Sequence, residues 1–226
     1  MKLAVIQPNF FPFKAYYDLA KRVDKFIFLD DTPYNNKSWV NKTILNLNSK
    51  NYYFRIPLEH NPQNMILTGD IKPKSQNWKK KFLKIVKVQY KRSLNFSVAY
   101  PLLKEIINIP TERFAHTSAY SVFRIAHSIF GSKAQFTFSS LKYSKVKLSF
   151  YEKILHICKK EKANTLYTFA GTRGSFDEKK FTNNNVGVSY FTSYSKNYSV
   201  IDEIMNDYSY RDILIKECNL LQDERT

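Results

Sequence analysis

The chain has 226 residues, of which 43% are hydrophobic and 16% aromatic, so it can bury a sizeable core without disulfides. Its two cysteines, Cys158 and Cys218, match neither a metal-ligand spacing nor a disulfide framework, which favours a reducing compartment. No run approaches the roughly 18 apolar residues of a membrane span, and the N-terminus lacks the pattern of a secretory signal. We therefore expect a cytoplasmic protein without a membrane span.

The formal net charge of +17 is compatible with three origins. Lys is far commoner than Arg, and Asn, Ile, Tyr and Phe are plentiful, which is typical of a protein from an AT-rich genome. The charge would also suit an anionic small-molecule substrate. It would equally suit a nucleic acid, because Lys and Arg displace counterions from phosphates. The charge alone does not choose between these origins.

The first part of the chain predicts an α/β unit, a hairpin and a group of helices. Short apolar runs at 2–8 and 25–31 are typical of buried parallel strands, and apolar residues recur at helical spacing over 14–23. Two β-rich runs joined by a polar NSKN predict a hairpin over 39–58. Helical periodicity predicts three helices, over 78–92, 96–109 and 111–131.

Strands and helices alternate again in the remainder. Strands are predicted over 134–140, 165–171 and 186–194, and helices over 148–163, 177–185 and 198–221. This order indicates an α/β fold with a mostly parallel sheet, flanking helices, an inserted β-hairpin and a helical subdomain. The sequence has no internal repeat or low-complexity linker. We therefore expect one α/β domain over residues 1–226, with a helical insertion at about 76–131.

Several polar residues directly follow predicted strands. In open α/β sheets ligands bind beyond the carboxyl ends of the strands. This rule selects Gln7 and Asn9 after the first strand, Asp30 and Asp31 after the second, and Ser139 after a later one. The aspartates could act as general base, orient a substrate amine or hydroxyl, or bind a metal. Alternatively, one of them caps the following turn and the other is solvated.

Aromatic residues near these strand ends have two interpretations. Phe11 and Tyr17 belong either to the core or to a stacking platform. Tyr34, Trp39 and Asn41 lie in a predicted polar loop, where aromatic rings could flank a sugar or a base because they combine an apolar face with a polar tip.

Three further residues are candidates for charge or proton chemistry. Lys42 and Arg173 could bind a phosphate or carboxylate, or could be ordinary surface cations. His60, in the polar EHNPQ loop, is the histidine that we would test as an acid or base. The segment AGTRGSFD lacks the spacing of a dinucleotide or Walker motif, and neither HExxH nor GxSxG occurs. The sequence predicts no cofactor and no metal.

Residues 7–45 carry a specific combination of motifs, namely QPNFFP, VDKFIFLDD and WVNK. This run resembles the opening of the WbqC-like protein family. The similar positions include Gln7, Phe11, Tyr16 or Tyr17, Asp30, Asp31, Tyr34, Trp39, Asn41 and Lys42. A looser similarity extends to WKKKFLKIVKVQYKRSLNF and YSVIDEIMN, whereas the glycine-rich segment AGTRGSFD is shorter than in the family.

The resemblance implies a cytoplasmic enzyme of bacterial surface-polysaccharide biosynthesis, such as O-antigen or capsule formation, where nucleotide-linked amino sugars are modified. Our hypothesis is a transferase that moves an acyl or aminoacyl group onto a sugar amine. Its partners would be a nucleotide-linked sugar and an acyl or aminoacyl donor, which an acyl carrier protein could supply. Asp30 or Asp31 would accept the amine proton. The alternative is a non-catalytic module that binds nucleic acid or an acidic carrier protein.

Overall fold

A computed structural model of the protein describes residues 1–36, 38–47, 50–59, 66–143, 148–174, 176–192 and 198–223. The strands are β1 Lys2–Ile6, β2 Lys25–Phe28, β3 Lys42–Leu47, β4 Lys50–Arg55, β5 Gln135–Phe138, β6 Thr165–Phe169 and β7 Gly187–Phe191. The α-helices are α1 Lys14–Ala20, α2 Asn77–Tyr90, α3 Phe96–Ile107, α4 Phe114–Ser128, α5 Ser139–Lys142, α6 Phe150–Lys160, α7 Glu178–Thr182, α8 Val200–Asn206 and α9 Arg211–Asp223. Short 3-10 turns occupy Thr68–Asp70, Ala170–Thr172 and Tyr208–Tyr210.

Within the described residues, five parallel strands form one sheet in the order β5-β2-β1-β6-β7. The strand order therefore reverses between β1 and β6, which is where ligands bind in doubly wound sheets. β3 and β4 pair as a separate antiparallel hairpin. The predicted α/β class, with its parallel sheet, flanking helices and hairpin, is confirmed.

Both faces of the sheet are covered by packed elements, and successive strand residues point alternately to one face and the other. Ala4, Phe26 and Phe28 face a large hydrophobic cluster that includes residues of α1 to α4, the hairpin, α8 and α9. Leu3 and Ile27 face a smaller cluster that includes residues of α6 and α7. The predicted continuous apolar strands are therefore explained by two covered faces.

Two of the differences between predicted and observed elements have a clear local cause. The strand predicted over 134–140 stops at Phe138, because Ser139 and Ser140 begin α5. The helix predicted over 198–221 is interrupted at Asp207, whose backbone is extended. The Asp207 side chain accepts a hydrogen bond from the Ser209 amide at 2.9 Å. A short polar side chain that caps a new turn competes with a continuous helix.

Candidate functional site

The segment after β1, residues 7–13, leaves the carboxyl edge of the sheet and passes the end of β6. The Phe13 ring centroid lies 5.8 Å from that of Phe169, the last residue of β6. Phe11 has a φ of +40°, a strained value for a residue other than glycine. Its carbonyl accepts hydrogen bonds from the Thr43 and Ser199 hydroxyls, each at 2.9 Å. Strained backbone held by its surroundings is frequent at ligand sites.

A cavity of about 440 Å³ lies between this segment and the hairpin, and we call it the cleft. Its volume falls within the roughly 300–1,000 Å³ of small-molecule sites. The side chains that line it include Asn9, Phe11, Phe13, Trp39, Lys42, Asn51, Tyr53 and Tyr198. The cleft therefore combines aromatic rings, two amides and a cation beside the segment that follows β1.

Trp39 and Lys42 lie together in the cleft, where Lys42 supplies a positive charge. Trp39 is 46% exposed, and the Lys42 ammonium lies 5.7 Å from its ring centroid, a cation–π distance. Lys42 pairs directly with Arg55 across the hairpin, so two cations share one face. Burial, and secondly the charge of Arg55, lower the pKa of Lys42. Like charges opposite each other destabilise a hairpin, and a bound anion would relieve this repulsion.

Asp30, the first aspartate after β2, is 2% exposed. Its carboxylate accepts hydrogen bonds from the Ser140 amide at 2.9 Å, the Ser140 hydroxyl at 2.7 Å and the Ser139 hydroxyl at 3.1 Å. Because α5 begins at Ser139, this carboxylate satisfies one of the first amides of α5, that of Ser140. The Gly69 amide donates to the Asp30 carbonyl at 2.6 Å. Asp30 thus joins three chain segments.

Asp31 forms a buried ion pair with Lys153 of α6. The Lys153 ammonium lies 2.5 Å from Asp31 Oδ2, and the two side chains are 7% and 3% exposed. The same ammonium donates to the Asp31 carbonyl at 3.2 Å, and the Ser139 hydroxyl donates to Asp31 Oδ1. Neither aspartate is among the residues that line the cleft. The structure places the pair in a network that connects β2, α5 and α6.

Three predicted binding residues lie in packed surroundings. The Gln7 amide donates to the Thr32 hydroxyl at 3.5 Å. Tyr17 is completely buried, and its ring stacks on Phe130 at 5.2 Å between centroids. Asn41 is 3% exposed, and its amide donates to the carbonyl of the residue after β4 at 2.8 Å. The core interpretation of Tyr17 is supported, and Asn41 proves to anchor the hairpin rather than to sit in an open polar loop.

The other predicted residues are distributed around the site. Tyr34 is half-buried, and burial raises the pKa of its hydroxyl, which the nearby Arg55 charge partly opposes. Arg173 is exposed after β6, with its guanidinium 4.7 Å from the centroid of the Tyr190 ring. His60 lies outside the described residues. Among the predicted binding residues, the structure brings Asn9, Phe11, Trp39 and Lys42 together in the cleft and places Ser139 in the aspartate network.

The structure also adds residues that the sequence analysis did not select. Asn51 and Tyr53 line the cleft from β4, and their i, i+2 spacing on a strand places both side chains on one face. Lys153 lies beside Ile154 on the buried face of α6. A lysine within the apolar stripe of an amphipathic helix was the signal that could have identified it.

Among the described residues, no group of three His, Cys, Asp or Glu side chains is arranged to hold a metal ion. No helix in the described ranges combines the length and apolar character needed to cross a membrane. The side chains that line the cleft supply aromatic, amide and cationic groups.

Comparison with known proteins connects this site to one family. The model of the WbqC-like protein family matches residues 7–214, a range that contains every residue that lines the cleft. The chain belongs to the WbqC-like family. "Uncharacterized protein Rv1507c" of Mycobacterium tuberculosis (strain ATCC 25618 / H37Rv) is 31% identical over 58 residues, which are 26% of this chain and 25% of that protein. No solved structure matches the chain.

The motifs that carry the WbqC-like resemblance divide between two places in the fold. The Gln-Pro motif opens the strained segment that forms one wall of the cleft, and the Trp-x-Asn motif begins the opposite wall. The Asp-Asp motif lies in the buried network with Lys153. In this WbqC-like protein, the motif residues Phe11, Trp39 and Lys42 line the cleft, whereas the Asp-Asp pair connects the end of β2 to α5 and α6.

Proposed function

We propose that this WbqC-like protein is a transferase that modifies a nucleotide-activated amino sugar by acyl or aminoacyl transfer to the sugar amine, in the synthesis of O-antigen, capsule or a related surface polysaccharide. The observation that carries the proposal is the cleft, which combines exposed aromatic rings, side-chain amides and a cation beside the segment that follows β1. The name of the family supports the link to polysaccharides.

The sugar would lie between the aromatic side chains of the two walls. Trp39 and Tyr53 are 46% and 61% exposed, so both present ring surface that a ligand could cover. An aromatic face covers the apolar C–H surface of a sugar, while the polar tip bonds to its hydroxyls. The side-chain amides of Asn9 and Asn51 line the same cavity. Amides both donate and accept, as sugar hydroxyls require.

The diphosphate would lie against Lys42 and Arg55. These two cations are direct partners across the hairpin. In the described part of the chain, Arg55 forms no ion pair with a carboxylate. Arg donors match phosphate oxygens bidentately, and Lys adds a compact charge. A diphosphate would also offset the charge of Arg55, which after burial is the second cause of the lowered pKa of Lys42.

In the transfer step, the sugar amine attacks the acyl carbon, a C–N bond forms, and the bond to the acyl carrier breaks with its electron pair on the carrier. The motif makes Asp31 our proposed acceptor of the amine proton, but Asp31 does not line the cleft, so the proton would have to reach it through intervening water. Its ion pair with Lys153 implies a second role, the positioning of the end of β2. A variant must therefore be tested for stability as well as for activity.

The test is ligand binding by thermal shift and calorimetry, with a nucleotide-linked amino sugar, the nucleotide alone and the free amino sugar. A ligand at 100 times its dissociation constant stabilises the native state by about 2.7 kcal/mol. The nucleotide-linked sugar should stabilise the wild type, and Trp39→Ala and Lys42→Met should abolish this effect. Lys50→Met is the matched control, because Lys50 is exposed on the same hairpin and does not line the cleft.

Turnover is measured separately, as a gain in the mass of the sugar nucleotide when an acyl-thioester or aminoacyl donor is added. If the nucleotide-linked sugar stabilises the Lys42→Met and Lys50→Met variants equally, the cleft is not its binding site. Tight binding without any mass gain across the donor panel would leave a binding protein instead of a transferase.

A second candidate function, a module that binds nucleic acid or an acidic protein, is favoured by one surface. Lys80, Lys84, Lys87 and Lys91 are exposed on α2 and at its C-cap. Their spacing of i, i+4, i+7 and i+11 aligns them in a stripe about 16 Å long. α2 contains no Asp or Glu, and its opposite face buries Trp78. The stripe is therefore a continuous cationic surface.

Salt dependence tests this candidate. Four phosphate contacts to a single strand would weaken binding by about 50-fold between 50 and 200 mM salt. Lys84→Gln/Lys87→Gln should halve the slope of log affinity against log salt. Lys159→Gln/Lys160→Gln is the control, because it removes the same charge from exposed positions on α6. Equal slopes for the two double variants would show that the α2 stripe is not the binding surface. Binding of an acidic carrier protein but not of RNA would identify a protein as the partner.

A further inference from the structure

A second, smaller cavity lies where the end of β4 meets the beginning of α2. Its volume is about 240 Å³, below the roughly 300–1,000 Å³ of pockets for drug-sized ligands. Phe54 and Trp78 are buried at its base, and Arg55, Ser75, Asn77 and Lys81 are exposed at its rim. We call it the α2 pocket. Its size suits a small ion rather than a whole nucleotide sugar.

The charge of the α2 pocket is positive and is not neutralised by the described residues. The residues that line it include Arg55 and Lys81 and no Asp or Glu. In the described ranges neither cation is paired with a carboxylate. One guanidinium nitrogen of Arg55 donates to the Asn36 carbonyl at 3.3 Å, which orients the group. Two cations from different elements thus share one small cavity.

Trp78 supplies an independent observation. It is 4% exposed, and its indole Nε1 has no hydrogen-bond partner among the described residues. An indole N–H can only donate, and a buried donor normally has an acceptor. Trp78 forms T-shaped ring pairs with Phe10 and Phe114, which carry no oxygen or nitrogen acceptor. A ligand that carries acceptor oxygens would satisfy this group.

The beginning of α2 adds to the same charge. The 14-residue helix starts at Asn77, its first turn contains no acidic residue, and Gln76 makes no side-chain capping bond. The first N–H groups of a helix lack intrahelical partners and carry a partial positive charge. Phosphate groups commonly bind at such a position.

We propose that the α2 pocket is a binding site for a phosphate-type oxyanion, free inorganic phosphate or pyrophosphate. Arg55, Lys81 and the Trp78 indole are donors without acceptor capacity, and Ser75 and Asn77 can also donate. A tetrahedral oxyanion offers acceptor oxygens in several directions and takes its charge from both cations. The α2 pocket has no lining residue in common with the sugar cleft, although it shares Arg55 with the proposed diphosphate site, and the proposal does not depend on the transferase activity.

The chain contains two tryptophans, Trp39 and Trp78, so a Trp39→Phe background leaves Trp78 as the single indole reporter. Phosphate and pyrophosphate are titrated into this protein at constant ionic strength, with chloride as the reference anion. The expected result is a saturable change in indole emission. Calorimetry then compares Lys81→Met with Lys80→Met, an exposed lysine one position away that does not line the pocket.

Lys81→Met should weaken anion binding roughly ten- to hundredfold, because it removes one charge-assisted hydrogen bond. Lys80→Met should leave the affinity within about twofold. Equal affinities in the two variants, or no saturable emission change, would overturn the proposal. Binding of a short single-stranded oligonucleotide, with no response to either free anion, would also overturn it and would assign the cations to a nucleic-acid surface. Circular dichroism verifies that both variants are folded.

Discussion

Removal of the Lys153 ammonium tests whether the buried ion pair holds the ends of the central strands. Lys153→Met leaves the Asp31 carboxylate, whose side chain is 3% exposed, without its cation. Loss of one partner of a buried pair costs about 3–5 kcal/mol. For a chain of this size, this corresponds to a melting temperature lower by roughly 6–20 °C. A double variant, Lys153→Met/Asp31→Asn, removes both charges and should recover part of the loss.

The assay is urea unfolding of both variants beside Lys142→Met as a matched control. Lys142 is 54% exposed and lies 3.8 Å from Glu161, so its removal should cost no more than about 1 kcal/mol. A Lys153→Met variant no less stable than Lys142→Met would refute the reasoning. The same stability measurements are needed to interpret an Asp31→Asn variant. Its loss of activity would indicate a role in proton transfer only if the variant remains folded under the assay conditions.

Two further predictions concern the neighbourhood of Asp30. Burial, and then the charge of Arg113, lower the pKa of His116 from its ordinary 6.5, while Asp30 and Asp70 oppose this shift. Since the unfolded state then binds more protons, the stability that His116 contributes is present above pH 6.5 and is lost as the pH falls below it. In urea unfolding at pH 7.5 and 5.0, His116→Gln should therefore lose less stability between the two pH values than the wild type does. An equal loss in both proteins would contradict the assignment. Gly69→Ala should lower stability by about 1–3 kcal/mol, because its Cβ would lie 2.8 Å from Asp30 Oδ2, whereas Gly171→Ala meets nothing within 4 Å and should be neutral in the same thermal melt.

The parallel strands were predictable because their signal is local. An apolar run such as that over Lys25–Phe28 needs only its own residues to indicate a strand covered on both faces. The interruption at Asp207 and the early end of β5 were not predictable, since both depend on hydrogen bonds that compete with regular structure. Such bonds are decided by partners that periodicity does not reveal.

The candidate site was predictable in part. Asn9 and Trp39 were selected from the sequence and line the cleft. Tyr53 was missed, because an exposed ring on a hairpin gives no functional signal until the hairpin is placed against the segment after β1. Tyr17 was selected for its place in the motif, but its ring is used in packing against Phe130.

By itself, the sequence determined the α/β class, the hairpin and the family, because hydrophobic periodicity and short motifs are properties of neighbouring residues. The tertiary structure alone decided which residues of the motif line the cleft. It joined Asp31 to Lys153 across 122 positions of sequence and separated that pair from the cleft. The physical reason is that a side chain's surroundings, and hence its charge partners and access to a ligand, depend on contacts between elements that are distant in the chain.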